Sequence, residues 1–261
     1  MGNTRQPAVA GSFYPSDPER LRAMLKGFLE EARTDLPAPR AMIVPHAGYI
    51  YSGPVAASGY ARLLNSPGLY TRVVLLGPAH RIAFSGLAAT SATVFITPLG
   101  EIPVDQVAIS RLAELPQVRI LDEAQHLEHS LEVHLPFLQV TLGDFSLVPL
   151  VVGDATAEEV CGVLELEAPV PGTLLVISSD LSHYHDYATA TRMDSDTSRH
   201  IEALDHTRIG YGQACGRNPV SGLLLYARRH ALTAKTIDLR NSGDTAGPRD
   251  QVVGYGAYVF N

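Results

Sequence analysis

The sequence predicts an α/β fold with one central sheet, mostly parallel or mixed, and helices on both faces. Apolar runs typical of buried strands occur at 41–46, 71–80, 145–154 and 172–183. Segments with helical spacing of apolar residues lie between them, and strands that alternate with helices form largely parallel sheets. The sequence contains no internal repeat, low-complexity tract or linker, so residues 1–261 are predicted to form a single domain.

In the first half of the chain, predicted strands already alternate with predicted helices. Residues 17–33 have apolar side chains at helical spacing, with Asp17 as the cap and Pro18 in the first turn. The strand 41–46 follows, and a helix is predicted over 54–64, beginning at Pro54. After the strand 71–80, short β-like runs broken by glycine and proline over 84–104 predict a hairpin excursion.

The second half continues the pattern. The segment 130–143 is predicted to be a helix with Ser130 as a candidate cap; its Pro136 requires a nearby helix start or a kink, because proline removes a backbone donor. The other predicted elements are, in order, helix 104–115, strand 145–154, helix 157–167, strand 172–183, helices 191–205 and 218–232, and strands 234–241 and 251–260.

Composition limits the classes of function. Hydrophobic residues make up 46% and charged residues 18% of the 261 residues, and the formal net charge is −7. Nucleic-acid partners usually require a basic surface, so no nucleic-acid partner is expected.

The sequence has no apolar run near the roughly 18 residues of a membrane span and no secretory signal core, which predicts a cytoplasmic protein without a membrane anchor. The two cysteines, Cys161 and Cys215, form no CxxC pair and are interpreted as buried structural residues. Cys215 lies in a polar stretch and could instead be a nucleophile, although the structural role is favoured.

Polar side chains follow three of the apolar strands at the point where each ends. His46 follows the first strand and His80 the second, while Asp180, His183 and His185 follow the fourth. The carboxyl ends of parallel strands line the usual ligand crevice of an α/β sheet. One strand-end histidine is more often structural, but several of them with an aspartate predict a shared site.

The residue types fit metal chemistry. Imidazole is the commonest side-chain metal ligand and also transfers protons near neutral pH. Two histidines and one carboxylate form the facial triad of non-haem Fe(II) oxygenases, and the same set could hold catalytic zinc.

A second histidine-rich segment lies at 124–137. It contains His126, His129, Glu132 and His134. His129 and His134 are five residues apart and therefore do not share one narrow helix face, which separates the segment from a metalloprotease HExxH motif. Glu132 could orient His129. A pocket role for His129 or His134 and a purely structural amphipathic helix are both open.

A third polar cluster, at 240–250, is read first as a turn. It contains Ser242, Gly243 and Asp244, and Asp244 could reach the same sheet edge.

Six motifs taken together resemble the Memo family. They are AGSFYP, VPHAGYIYSG, GPAHR, EHSLEVHLPFL, SSDLSHYH and NSGD with VVGYGAY, in this order from about Gly11 to Phe260. The bacterial and archaeal members of that family are called AmmeMemoRadiSam system protein B. The resemblance implies a fold like that of class III extradiol dioxygenases.

The resemblance also implies roles for individual residues. His46 and His80 match the two strand-end histidines that bind Fe(II) in the dioxygenase template. His183 matches its acid/base histidine, with Asp180 beside it, and His134 falls in a motif that lines the same pocket. The template's third ligand is a late glutamate, replaced by cysteine in some Memo proteins; Thr245 aligns there, which leaves Asp244, Asp180 or His183 as candidates.

These observations predict a metal-dependent redox protein or dioxygenase-like enzyme that acts on a small oxygenated substrate. Fe(II) or copper is expected at His46 and His80, with zinc as a lesser alternative. Asp180 would fix the tautomer of His183, which would transfer a proton. The resemblance also implies a radical-SAM protein as a pathway partner. The alternative is a non-catalytic binding or adaptor module that recognises a peptide or metabolite.

Overall fold

The computed structural model describes residues 3–32 and 34–261. These residues form twelve strands: β1 (Thr4–Arg5), β2 (Ala41–Val44), β3 (Arg72–Pro78), β4 (Leu87–Ala89), β5 (Val94–Thr97), β6 (Gly100–Pro103), β7 (Val118–Ile120), β8 (Ser146–Val152), β9 (Thr173–Ser178), β10 (His183–His185), β11 (Ala234–Asn241) and β12 (Val252–Phe260). The same residues form nine α-helices: α1 (Pro18–Glu31), α2 (Tyr49–Tyr60), α3 (Gln106–Leu112), α4 (Asp122–His126), α5 (Leu135–Leu142), α6 (Ala157–Glu167), α7 (Tyr187–Glu202), α8 (Arg217–Arg229) and α9 (Ser242–Thr245).

The central sheet combines parallel and antiparallel pairing. Its order is β10-β12-β2-β9-β3-β8-β4-β7, and β11 pairs with β12. The four strands β2, β9, β3 and β8 are parallel to one another, whereas β12 runs antiparallel to β2 and β4 antiparallel to β8. The parallel strands β2 and β3 are fully buried, as their unbroken apolar sequences predict. The predicted mixed α/β fold is confirmed.

The register of the parallel strands places three strand ends side by side. Val44 at the end of β2 pairs with Ser178 at the end of β9, and Leu76 of β3 pairs with Ile177. Because β9 lies between β2 and β3, the segments that follow all three strands leave the sheet at the same edge.

Helix α1 shows how the sequence determines a local element. The Asp17 side chain accepts a hydrogen bond from the Arg20 amide at 2.8 Å, which caps the helix. Leu21, Leu25 and Leu29 are four residues apart and buried on one face. The predicted end of this helix at Arg33 lies outside the described residues.

Two predicted helix boundaries were wrong. Helix α2 begins at Tyr49 rather than Pro54, so Pro54 lies inside it. The carbonyl group that Pro54 leaves without its helical donor belongs to Ile50, a residue that is 56% exposed and can bind water there. The predicted helix 130–143 divides into a 3₁₀ turn at Glu132–His134 and helix α5, with Pro136 in the first turn of α5, where proline is tolerated.

The hairpin predicted within 84–104 is formed by β5 and β6, which pair antiparallel. Strand β1 adds to β5 in parallel and completes a second, three-stranded sheet. Strand β4, from the same predicted excursion, instead joins the central sheet beside β8.

Within residues 3–32 and 34–261, a helix with both the length and the apolar character for crossing a membrane is not found.

Candidate metal centre

His46 and His80 meet at the shared strand edge. Each follows its strand by two residues, and their ring centroids lie 5.2 Å apart. The convergence of strand ends, expected from the apolar runs, therefore brings these two imidazoles together from positions 34 residues apart in the chain.

His46 is held on three sides. Its backbone N–H donates to Asp180 Oδ1 at 2.7 Å, and its Nδ1 contacts Ser178 Oγ at 2.6 Å. Its Nε2 lies 3.4 Å from Cys215 Sγ and 3.9 Å from Asp180 Oδ2. Burial, followed by the nearby His80, His129, His134 and His183, holds the pKa of His46 well below its usual range. A neutral imidazole is the form that binds metals.

Glu128 orients His80. The two carboxylate oxygens accept hydrogen bonds from the N–H groups of His80, His129 and Ser130 and from His80 Nδ1, the last at 2.9 Å. Although burial alone would raise the pKa of Glu128, these hydrogen bonds and the charge of His80 lower it to about 2. The ionised carboxylate can only accept, so His80 Nδ1 carries a proton, and in the neutral form of His80 the lone pair is on Nε2. Sequence reasoning did not identify Glu128.

Cys215 enters the pocket from the loop before α8. Its amide donates to the Asp180 carbonyl at 3.2 Å, and the Asp180 amide contacts its sulfur at 3.3 Å. The loop approaches β9 closely at Gly216, where an added Cβ would lie 2.5 Å from the Ser178 carbonyl oxygen. The sequence favoured a structural role for Cys215, and the structure places its sulfur beside His46.

His46, His80 and Cys215 fit a metal ion. Among the described residues they form one of two groups whose donor atoms all lie within 4.8 Å of one another. A tetrahedral ion with bonds of about 2.1 Å to nitrogen and 2.3 Å to sulfur would separate these donors by about 3.6 Å. The 3.4 Å between His46 Nε2 and Cys215 Sγ is close to this value. Burial, followed by the charge of Asp180, raises the pKa of the Cys215 thiol, so a metal would have to displace a proton.

The second group is His80, Glu128 and His129. Its carboxylate already accepts four hydrogen bonds, which identifies the group as a hydrogen-bonded support for His80. The His129 ring stacks on that of His80, with centroids 4.7 Å apart, and packs against Phe13 at 4.8 Å. Within the described part of the chain, His129 Nδ1 makes no hydrogen bond, although it lies 3.3 Å from Glu128 Oε1, and the His129 ring lies 5.5 Å from that of His46. His129 is thus at the pocket.

His183 and Asp180 differ from the expected pairing. His183 Nδ1 contacts the Leu181 carbonyl at 2.8 Å, and since a carbonyl only accepts, Nδ1 carries the proton. The Leu181 carbonyl, rather than Asp180, therefore fixes the tautomer of His183. The carboxylate of Asp180 accepts from the backbone of His46 instead, and burial raises its pKa to about 6.

His134 lies one layer behind the pocket. It is fully buried, with Nε2 2.8 Å from Ser178 Oγ and Nδ1 2.9 Å from the Tyr60 hydroxyl. Burial lowers its pKa to about 3. His134 was expected to line the pocket, and in this structure it lies enclosed behind Ser178.

The remaining candidates lie elsewhere. Glu132 does not orient His129: its carboxylate is taken by Arg5, the Tyr14 hydroxyl and the amides of Ala8 and Val9. Asp244 accepts from the Tyr187 hydroxyl at 2.7 Å and from the backbone of Asn241. In the described parts of the chain, neither Asp244 nor the exposed His126 belongs to a group of side chains whose donor atoms are close enough together to hold a metal ion. Thr245 donates its hydroxyl to the Ser242 carbonyl.

A cavity of about 320 Å³ opens beside Cys215. Its lining includes Ala79, next to His80, and the apolar side chains of Ile82 and Phe84. Tyr211 and Arg217 stand at its rim, with the guanidinium 3.3 Å from the aromatic centroid. The cavity provides room for a small molecule beside Cys215.

Comparisons with known proteins agree along nearly the whole chain. The family described as "Memo-like protein" (Memo) matches residues 5–259. A MEMO1 family protein of Saccharolobus islandicus is 35% identical over 282 residues, covering 98% of this chain and 99% of the relative. A MEMO1 family protein of Sulfolobus acidocaldarius is 36% identical over 276 residues, covering 96% and 97%.

A solved structure shares the fold. The crystal structure of an uncharacterized protein from Escherichia coli K12 superimposes with a TM-score of 0.56 and 15% sequence identity, covering 84% of this chain and 98% of that one. At this level of identity the likeness concerns the fold alone.

Proposed function

This chain belongs to the Memo family, and we propose that it is a metal-dependent redox protein, with a dioxygenase-like site that acts on a small oxygenated substrate. The observation that carries the proposal is the group of His46, His80 and Cys215, whose donor atoms lie within 4.8 Å of one another. Two of the three donors are imidazoles whose Nδ1 atoms are engaged by neighbours, so that each Nε2 is available.

The donor types favour a particular metal. Two imidazoles and one thiolate suit copper, and thiolates in general favour Cu(I) and zinc over Fe(II). Asp180 Oδ2, 3.9 Å from His46 Nε2, offers the carboxylate that would complete a two-histidine site for Fe(II). Copper is therefore the first choice and Fe(II) the second, with zinc as a lesser alternative. When bound, such a metal would supply electron transfer and polarisation of an oxygenated substrate.

The protein side chains would bind the substrate and move its proton. The cavity of about 320 Å³ would hold the substrate against the apolar surfaces of Ile82 and Phe84. His183 has its Nδ1 proton bound to Leu181, so its Nε2 could accept a proton from a substrate hydroxyl. Glu128 would keep His80 in place during these steps.

A binding or adaptor function is the second candidate. It is favoured by the exposed side chain of Tyr211, 81% accessible, at the rim of the cavity beside Arg217. Aromatic and arginine side chains are enriched at recognition surfaces. In this case a peptide or metabolite would occupy the same cavity without being converted.

Metal analysis and oxygen consumption distinguish these candidates. The protein would be purified anaerobically, supplied with Cu(I) or Fe(II), freed of excess metal and exposed to oxygen with catechol-like compounds. The redox proposal predicts about one metal per chain and oxygen uptake, both lost in His46→Ala/His80→Ala. The exposed pair His126→Ala/His230→Ala is the matched control and should retain both. Saturable binding without oxygen uptake would favour the adaptor, and absence of metal under every condition would contradict the redox proposal.

A further inference from the structure

Ser178 lies at the centre of a buried hydrogen-bonded chain behind the pocket. It is the last residue of β9, and its side chain is fully buried. Its Oγ contacts three groups: His46 Nδ1 at 2.6 Å, His134 Nε2 at 2.8 Å and the Ser130 carbonyl oxygen at 2.6 Å. This hydrogen-bonded chain ends at the Tyr60 hydroxyl, which lies 2.9 Å from His134 Nδ1.

The direction of each hydrogen bond follows from the single proton of the Ser178 hydroxyl. A serine hydroxyl donates once, and a carbonyl oxygen can only accept, so Ser178 donates to Ser130. Both imidazoles must then donate to the oxygen of Ser178. His46 therefore carries its proton on Nδ1, and His134 carries its proton on Nε2.

The Tyr60 end of the hydrogen-bonded chain agrees with this assignment. With Nε2 of His134 protonated, its Nδ1 is an acceptor, and the Tyr60 hydroxyl can donate to it. Burial lowers the pKa of His134 to about 3 and raises that of Tyr60. Both groups are thus neutral near pH 7, and every donor has an acceptor.

We propose that Ser178, supported by His134 and Tyr60, is a positioning residue that fixes His46 in the Nδ1–H tautomer and directs the Nε2 lone pair toward Cys215. This inference rests on the proposed metal-dependent function for its consequence, but the tautomer is a property of the metal-free protein. It also gives His134 a role: His134 acts through Ser178 on His46 and does not touch the substrate.

The opposite tautomer of His46 would change the hydrogen bonds of Ser178 and Ser130. If His46 carried its proton on Nε2, Nδ1 would need a donor, and the Ser178 hydroxyl would have to turn away from Ser130. The buried Ser130 carbonyl would lose that donor, and the Nε2 proton would point at Cys215 Sγ, 3.4 Å away, where a metal ligand requires a lone pair.

The first test is the nitrogen-15 NMR spectrum of the metal-free protein labelled at histidine. One-bond and two-bond proton–nitrogen correlations report which ring nitrogen is protonated, and the His46→Ala and His134→Ala spectra assign the signals. The proposal predicts a protonated Nδ1 on His46 and a protonated Nε2 on His134. A protonated Nε2 on His46 in the wild-type protein overturns it.

The second test removes the hydroxyl. In Ser178→Ala, His46 should populate both tautomers, and affinity for Cu(I), measured by competition with a chromophoric chelator, should fall about 10–100-fold, as for other partners that orient metal ligands. Ser178→Thr retains the hydroxyl and should restore both readouts. Ser198→Ala is the matched control, since Ser198 is also buried but its hydroxyl bonds to Tyr258 and Asp194. An unchanged His46 tautomer in Ser178→Ala overturns the proposal.

Tyr60→Phe provides a second variant if Ser178→Ala does not fold. It leaves Ser178 and His46 intact and removes only the donor to His134 Nδ1. Because Ser178 still donates to Ser130 in this variant, His134 should keep its Nε2 proton and His46 its Nδ1 proton, and a His134 that carries its proton on Nδ1 would contradict the chain of donors. If the wild-type protein binds no metal, the proposed function fails while the tautomer spectrum still decides this inference. If metal binds to a protein whose His46 carries the Nε2 proton, only this inference fails.

Discussion

The sulfur of Cys215 lies 3.4 Å from Nε2 of His46, although the two residues are 169 positions apart in the chain. This contact supplies a third donor that strand-end reasoning did not find. It also changes the expected metal, because a thiolate beside two imidazoles favours copper over a two-histidine, one-carboxylate Fe(II) site.

Replacing Cys215 should weaken the site more than replacing the other cysteine. Cys215→Ser removes the soft donor, so Cu(I) affinity should fall by about 100-fold or more, a larger loss than orienting partners typically cause. A Cu(II)-loaded wild-type protein should show thiolate-to-copper charge-transfer absorption that the variant lacks. Cys161→Ser is the control, since Cys161 is buried in α6 and contacts Glu165. Equal affinity and spectra in the two variants would remove Cys215 from the site.

Glu128 should matter for metal affinity without being a ligand. Glu128→Gln retains the shape but replaces an anionic acceptor of the His80 Nδ1 proton, so Cu(I) affinity should fall about 10–100-fold. Titration with a competing chelator measures the loss. Glu123→Gln, at an exposed position in α4, should leave the affinity unchanged. A Glu128→Gln protein with wild-type affinity would show that His80 does not need this orientation.

Glu128 should also give the metal-free protein a pH-dependent stability. Its pKa is about 2 in the folded chain against an ordinary value of 4.5. The ionised form is thus favoured by folding, and its contribution, on the order of 3 kcal/mol, is present above about pH 4.5 and is lost as the pH falls toward 2. Denaturant unfolding at several pH values should show the difference between wild type and Glu128→Gln shrinking from pH 6 to pH 3. A difference independent of pH would contradict the assigned pKa.

The buried pair Arg5 and Glu132 should anchor the N-terminal segment. Both side chains are buried, and Arg5→Met would leave the Glu132 carboxylate without its cation. The free energy of unfolding should fall by about 3–5 kcal/mol, measured by denaturant titration. The exposed pair Arg199 and Asp196 gives the matched control, and Arg199→Met should cost about 0–1 kcal/mol. Similar losses in both variants would mean that Glu132 is satisfied by its remaining donors alone.

Much of the framework followed from local sequence. The family and the mixed α/β fold were predicted and are confirmed. The meeting of His46 and His80 was expected because parallel strands deliver their ends to one edge. Their closeness also depends on the strand order, which leaves only β9 between β2 and β3 and which the sequence does not show. The start of helix α2 was predicted at Pro54, because proline is tolerated in the first turn of a helix. In the structure Pro54 lies inside the helix, and the carbonyl that loses its helical donor belongs to the exposed residue Ile50.

The parts of the site that were missed depend on tertiary contacts. Cys215 follows no strand; it reaches the pocket because its loop packs against the end of β9, and the adjacent Gly216 was the available sign of that close approach. Glu128 lies outside the predicted helix 130–143, in the stretch between α4 and the 3₁₀ turn, and only the tertiary fold brings it beside His80. His134 ends the 3₁₀ turn that replaces the start of the predicted helix, and it contacts Ser178.

Metal binding by His46, His80 and Cys215 is tested most directly by an anomalous-scattering map of crystals grown with copper or Fe(II), with data collected on both sides of each metal edge. We expect one strong peak about 2.0–2.4 Å from Nε2 of His46, Nε2 of His80 and Sγ of Cys215. A peak at another place, or a pocket without any peak in crystals soaked with either metal, would contradict it.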